Sequence, residues 1–140
     1  MNAPEKVHEQ RERVMAHLAR EGYKPEIDKD GDVRFKKEGG TYFVQLDASD
    51  QLFFRVGFPN FWPIESEDER LRVYAACNRT NATIKVAKVF AIKDNVWGSL
   101  ELLLQEPGDF EALFERGVIL LQHAVSMFAN EMRSAATAGE

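Results

Sequence analysis

The spacing of apolar residues predicts a helix at the start of the chain. Between residues 4 and 20, apolar side chains alternate with runs of charged ones, which is the narrow stripe of a helix that packs on one side only. The apolar positions are Val7, Val14, Met15 and Leu18. Gly22 follows the stripe, and a glycine there is typical of a helix end.

Residues 27–58 have the period of strands and contain three turn signals. A loop at residues 29–31 places Ile27 opposite Val33, and a hairpin at Gly39-Gly40 places Phe35 opposite Val44. A turn near residues 48–50 places Val44 opposite Phe54. The three turns put the same apolar residues on one face, so the segment predicts an antiparallel strand meander.

The opposite face of the meander is polar apart from two phenylalanines. Its residues are Arg34, Lys36, Phe43, Gln45, Phe53 and Arg55. We expect this face to be partly solvated, and we take Phe43, Phe53 and Arg55 as candidate contacts for a ligand or a peptide.

A second helix is predicted from the capping-box spacing of Ser66 and Glu69. Its apolar positions are Leu71, Tyr74 and Ala75, and the helical pattern ends near Asn78. A strand pattern begins at Ile84, so the residues between them form a joint between helix and strand.

Residues 84–104 predict a hairpin that turns at Asp94-Asn95 and is apolar on both faces. One face holds Ala87, Val89, Ala91, Gly98, Leu100 and Leu102, and the other holds Ile84, Val86, Phe90, Ile92, Trp97 and Leu103. Apolar faces need to be covered, and the first helix offers only a thin stripe. We therefore predict that the second face is a homodimer surface. The alternative is that the last helix covers it.

A long last helix follows Pro107-Gly108-Asp109 and extends to about Met132. Residues 134–140 are small and polar, and we expect this tail to fray or to be disordered. The order of elements is a helix, an antiparallel strand meander, a helix, a β-hairpin and a long C-terminal helix. That order predicts an α+β fold, with residues 1–140 as a single domain.

Composition narrows the functional classes. The chain has 140 residues, a net charge of -5 and one cysteine, Cys77. Interspersed acids and bases argue against nucleic-acid binding and against an anionic membrane surface. A single thiol cannot form an internal disulfide, and no run of residues is apolar enough to span a membrane. We expect a cytoplasmic protein with no membrane partner.

No catalytic, cofactor or metal motif is present. Asp28, Asp30 and Asp32 alternate like a calcium loop, but Gly39 stands where that loop requires a glutamate, so a hairpin turn is favoured. The three histidines lack partners at ligand spacing, and Cys77 has no neighbouring base. We expect a protein that is not an enzyme and that has no cofactor and no metal.

Phe61 and Trp62 lie in a loop bounded by two prolines. Two large rings in a loop either contact a ligand or peptide, or close the protein's own core. Both interpretations remain open from the sequence.

A helix that ends in Asn78-Arg79-Thr80-Asn81, a hairpin from Lys88-Val89-Phe90 to Leu100-Glu101-Leu102 and a closing helix together resemble the YbjN-type family. That family is described as bacterial sensory transduction regulators and shares the fold of the class I type III secretion chaperones, which are small, acidic, generally dimeric and not enzymes. The resemblance implies a non-enzymatic protein-binding or regulatory module that pairs with itself and binds an unidentified protein. The alternative is a small-molecule sensor with a pocket between helix and sheet, where Trp62 or Trp97 contacts the ligand. For Asn78 and Asn81 we expect a structural role at the helix end.

Overall fold

A computed structural model describes residues 2–138 of the chain. It contains three long helices, six strands and a 3-10 turn. In chain order the elements are α1 (Ala3–Arg20), β1 (Glu26–Ile27), β2 (Val33–Lys37), β3 (Gly40–Gln45), β4 (Phe53–Phe58), α2 (Glu67–Thr83), β5 (Ala87–Ile92), β6 (Asn95–Leu103), the 3-10 turn Pro107–Asp109 and α3 (Phe110–Ala138). The predicted α+β fold and its order of elements are confirmed.

The strands form one antiparallel sheet in the order β1-β2-β3-β4-β6-β5. The chain divides into two compact units. Unit 1 comprises Met1–Phe58 and Glu101–Phe114, and unit 2 comprises Pro59–Leu100 and Glu115–Glu140. The prediction of a single domain stays a prediction.

In unit 1, α1 and the start of α3 pack against the apolar face of the meander. Val14 and Leu18 of α1 are fully buried, as are Val33 and Val44 of the strands. The ring of Phe54 stacks on the ring of Phe110, with centroids 4.8 Å apart. Burying these side chains stabilises the unit by about 1.5–3 kcal/mol each.

The predicted faces of the meander are correct, but two of its three registers are wrong. Ile27 pairs with Val33 as predicted. Phe35 pairs with Tyr42, and Val44 pairs with Val56, so both pairings differ from the prediction by two residues. The hairpin turn is Glu38-Gly39, where both residues have positive φ, because a two-residue hairpin turn needs that conformation. A shift of two residues leaves every side chain on its predicted face.

In unit 2, α3 packs closely on β6. A Cβ atom at Gly98 would lie 2.9 Å from Leu121 Cδ1, and one at Gly117 would lie 2.6 Å from Leu100 Cδ2. The two glycines therefore allow helix and strand to approach each other. The buried residues of α3 recur every three to four positions along one helix face, at Phe114, Val118, Leu121, Ala124, Phe128 and Met132. The helix continues past Met132 to Ala138, and residues 139 and 140 of the predicted tail lie outside the described residues.

α2 begins where the sequence predicts, but it ends later and buries residues other than the apolar positions Leu71, Tyr74 and Ala75. Ser66 Oγ accepts a hydrogen bond from Glu69 N at 3.0 Å, so the predicted start is correct. The helix ends at Thr83 rather than near Asn78, and it buries Val73, Ala76, Cys77 and Thr80. Small side chains let α2 lie close to β5, which explains why the bulkier Leu71 and Tyr74 face outward.

Candidate functional site

The predicted homodimer surface includes three residues on the outer face of the β5–β6 hairpin in unit 2. Phe90 lies directly opposite Trp97, and Ile92 lies opposite Asn95, so the turn is Lys93-Asp94. Phe90 and Trp97 are half-buried, while Ile92 is 40% exposed. Lys88 Nζ lies 5.4 Å from the centroid of the Phe90 ring. The outer face of this hairpin therefore contains two aromatic rings, and the ammonium group of Lys88 lies over one of them.

The loop before α2 orients Trp97. Asn60 has φ 53°, in the left-handed region that asparagine tolerates. Its Oδ1 accepts a hydrogen bond from Trp97 Nε1 at 2.9 Å. The indole N–H is thus satisfied within the unit, and the apolar part of the ring is the part available for contact.

Ile84 and Val86 belong to the joint between α2 and β5 rather than to a strand. Ile84 caps α2, with its backbone N–H donating to Thr80 O at 2.8 Å. Val86 has φ 67°, an uncommon conformation for a β-branched residue, and it is 56% exposed. Ala87 N donates to Lys85 O at 2.6 Å across this tight turn. The turn displays the Val86 side chain to solvent.

The other predicted contact residues on the sheet lie in unit 1. Leu103 is 86% exposed on β6. Arg55 forms an ion pair with Glu101 at 3.2 Å, and its guanidinium lies 5.0 Å from the centroid of the Phe53 ring. Phe43 and Phe53 are both half-buried on this outer face. The face is mixed in character, as the sequence predicts.

Phe61 and Trp62 contact the core of unit 2. Each ring makes an edge-on contact with Phe128 of α3, with centroids 5.6 Å apart. Trp62 N donates to Asn95 Oδ1 at 3.1 Å, and Phe61 N donates to Val96 O at 3.0 Å. Both rings are half-buried. These contacts are the ones expected of rings that close the core, and contact with a ligand or peptide stays a prediction.

Sequence reasoning missed an exposed apolar stripe on α2. Leu71 is 67% exposed and Tyr74 is 51% exposed, and Ala75 and Asn78 are also exposed on the same side. The spacing of these four residues is that of one helix face. The sequence shows that this helix has apolar residues on two sides. It does not show which of the two sides faces inward.

Asn81 has a structural role at the edge of the sheet. Its Nδ2 donates to Val89 O at 2.8 Å, and its Oδ1 accepts from Val89 N at 2.9 Å. The role of Asn81 is therefore structural, as expected. Its expected place at the helix end is wrong, because Asn81 lies inside α2, which ends at Thr83.

The surroundings of Cys77 disfavour its thiolate form. Burial raises the pKa of the Cys77 thiol from 9.0 to about 11, so little thiolate forms near neutral pH. Among residues 2–138, no group of three His, Cys, Asp or Glu side chains is placed to hold a metal ion. No helix in the same range is both long and apolar enough for a membrane span.

Comparison with known proteins gives a family for the chain. The family model for YbjN, with the description "Putative bacterial sensory transduction regulator", matches residues 10–131. No curated protein sequence matches the chain. The matched range includes α2, Asn81, the β5–β6 hairpin and most of α3. The chain therefore belongs to the YbjN family.

Proposed function

We propose that this chain is a non-enzymatic regulatory protein that acts by protein–protein contact and pairs with a second copy of itself. The family description supports a regulatory role. The observation that carries the proposal is the aromatic and aliphatic surface of unit 2, where Val86 and Ile92 are exposed beside half-buried Phe90 and Trp97. Interfaces of permanent dimers are enriched in such side chains.

The contact mode we propose is burial of this hairpin surface, defined as Ile84, Val86, Phe90, Ile92 and Trp97 of unit 2. Leu103, in unit 1, is a separate candidate contact. A chaperone-like fold and a cytoplasmic location are part of the same proposal. In a chaperone-like mechanism, an extended segment of a partner protein lays apolar side chains on a surface of this kind. The exposed stripe of α2, with Leu71 and Tyr74, offers such a segment a second surface.

Solution mass tests the self-association. At micromolar concentration we expect light scattering to give twice the mass of one chain, and the double variant Val86→Lys, Ile92→Lys to give the mass of a single chain. The matched control, Ile27→Lys with Leu52→Lys, changes exposed apolar residues of unit 1 and should remain a dimer. A single-chain mass for the unmodified protein would contradict the proposal.

Affinity capture with mass spectrometry tests the contact with another protein. We expect the unmodified protein to retain a polypeptide. The double variant Leu71→Glu, Tyr74→Glu should lose it, and so should the double variant Val86→Lys, Ile92→Lys. Turnover of a small molecule, with no polypeptide retained, would overturn a non-enzymatic protein-binding role.

The second candidate function is a small-molecule sensor. The observation that favours it is a depression of about 660 Å³ in unit 1 beside Tyr23, within the usual size of ligand pockets. This depression lies at the edge of the sheet, and neither Trp62 nor Trp97 lines it.

A further inference from the structure

The depression lies at the edge of β2, where its pairing with β1 ends. β1 pairs with β2 only through Glu26 and Ile27. The pairing ends before Pro25, which has no partner on β2. The chain therefore leaves β2 beyond Arg34, and a space of about 660 Å³ opens between Gly22–Lys24 and the strand.

An aromatic ring forms one wall of this space, and a glycine leaves its rim open. Tyr23 packs edge-on against Phe35 with ring centroids 5.3 Å apart. Lys37 Nζ donates to Tyr23 Oη at 3.2 Å, so the tyrosine is held from a second side. A Cβ atom at Gly22 would meet no atom within 4 Å, and the absent side chain leaves room at the rim. A half-buried ring held in place presents an apolar surface to a ligand.

The charge of the space is positive although the protein is acidic. Lys24, Arg34 and Lys36 line it, and Glu26 is its acidic side chain. Glu26 pairs with Arg34, and the guanidinium lowers the pKa of that carboxyl group. Lys24 and Lys36 are exposed, and Lys36 lies near enough to Glu26 to contribute to the lowered pKa of its carboxyl group. Two ammonium groups are thus available to an anion in a protein of net charge -5.

We propose that this depression binds a small organic anion, in which a planar or apolar body lies against Tyr23 and a carboxylate or phosphate group is held by Lys24 and Lys36. The long lysine stems cover the apolar body while their ammonium groups bind the charged end. The inference rests on the second candidate function, the sensor. It does not depend on contact with a protein partner.

The test is a titration followed by amide chemical shifts at 150 mM salt. The probes are phenyl phosphate and benzoate, with benzamide as the uncharged ring and inorganic phosphate as the charge without a ring. We expect saturable shifts at the amides of Gly22, Tyr23, Lys24 and Thr41 with one of the two aromatic anions. Which of them binds more tightly identifies the charged group.

A charge-reversal pair separates this site from general electrostatic attraction. Lys24→Glu with Lys36→Glu should weaken binding at least about tenfold, because two charge-assisted hydrogen bonds are lost. The matched control, Lys29→Glu with Lys85→Glu, changes the net charge equally at exposed lysines away from the depression and should leave the affinity within twofold. The milder variant Lys36→Gln should weaken binding less than the double reversal.

Several results would overturn the inference. They are equal loss of binding in the two double variants, equal affinity for benzamide or for inorganic phosphate, and shifts that are absent or scattered over the protein. A negative titration would leave the protein-contact proposal standing, since solution mass and affinity capture test that proposal separately.

Discussion

Asn81 supplies with its side chain the pairing that a further strand would supply at the edge of β5. The strand order places β5 at one end of the sheet, and the amide of Asn81 bonds both backbone groups of Val89. Because both groups of Val89 point to Asn81, Val89 and Gly98 form a non-hydrogen-bonded pair in the ladder. An amide side chain can do this since it has a donor and an acceptor in one plane. Other single residues set local geometry in the same way, as Asn60 does for Trp97.

Replacing Asn81 tests this pairing. Asn81→Ala removes two hydrogen bonds and should lower the free energy of unfolding by about 1–3 kcal/mol. Asn81→Asp keeps the acceptor for Val89 N but places a negative charge beside Val89 O, so it should not restore the stability. Asn78→Ala, at an exposed position on the same helix, should change stability by less than about 0.5 kcal/mol. Urea unfolding measures all three, and equal effects at positions 78 and 81 would contradict the role of the pair.

Cys77 predicts a pH dependence of stability. Its folded pKa of about 11 lies above the ordinary value of 9.0 because burial disfavours the thiolate. The stability contributed by the neutral buried thiol is therefore fully present below about pH 9 and is lost as the pH rises from about 9 towards 11. The difference in the free energy of unfolding between the unmodified protein and the variant Cys77→Ala should be smaller at pH 10.5 than at pH 8. Urea unfolding at the two pH values measures it.

Thiol reactivity gives a second measurement on Cys77. At pH 8 the native protein should carry about a hundredfold less thiolate than a thiol of pKa 9.0, so a disulfide reagent should react with it far more slowly than with the urea-unfolded chain. Equal rates in the two states would show that Cys77 is accessible and ionised.

At the scale of elements, α2 and the β6–α3 contact show how side-chain size decides packing. α2 turns its small residues inward and leaves Leu71 outside. The β6–α3 contact depends on glycine at both sides, and neither Gly98 nor Gly117 has positive φ. Their requirement is therefore space and not backbone conformation. Leu121, which a Cβ atom at Gly98 would meet, is fully buried and has little room to move.

Gly98→Ala is expected to destabilise unit 2 by about 1–3 kcal/mol, since the added methyl group would overpack a filled core. Gly57→Ala is the matched strand control, because its Cβ atom would lie 3.5 Å from Gln45 Oε1, an ordinary contact. The control should change the free energy of unfolding by less than about 0.5 kcal/mol. Thermal unfolding of both variants measures the difference. If Gly98→Ala is neutral, the close approach of β6 and α3 is wrong.

At the scale of the whole molecule, self-association and the negative charge act against each other. Copies with a net charge of -5 repel each other, and apolar burial has to exceed that repulsion. The repulsion is screened as salt is added. Association of the hairpin surface should therefore strengthen as ionic strength rises.

Dilution tests the self-association itself. If two copies associate in the folded state only, the Tm rises with protein concentration, because association removes the free folded monomer by mass action. We expect the Tm of the unmodified protein to increase between about 1 and 100 µM, and the Tm of Val86→Lys, Ile92→Lys to stay constant. A Tm that is independent of concentration in the unmodified protein would show that it unfolds as a monomer.

The sequence alone determines the order of the elements and, for the meander and the last helix, which residues face inward. The spacing of apolar residues predicts both, because every second residue of a strand and every third or fourth residue of a helix lies on the same face. The family resemblance at Asn78 and Asn81 also needs only the sequence. The faces survive even where the register is wrong, as in the β2–β3 hairpin, because the shift is two residues.

The tertiary structure decides the rest. α2 has apolar residues on two sides, and only the close fit of its small side chains against β5 selects Val73 over Leu71 as the buried one. The depression beside Tyr23 likewise brings together lysines from a loop and a strand twelve residues apart, at positions 24 and 36. Periodicity describes one element at a time, whereas a surface or a pocket depends on which elements meet and on how much space their side chains leave.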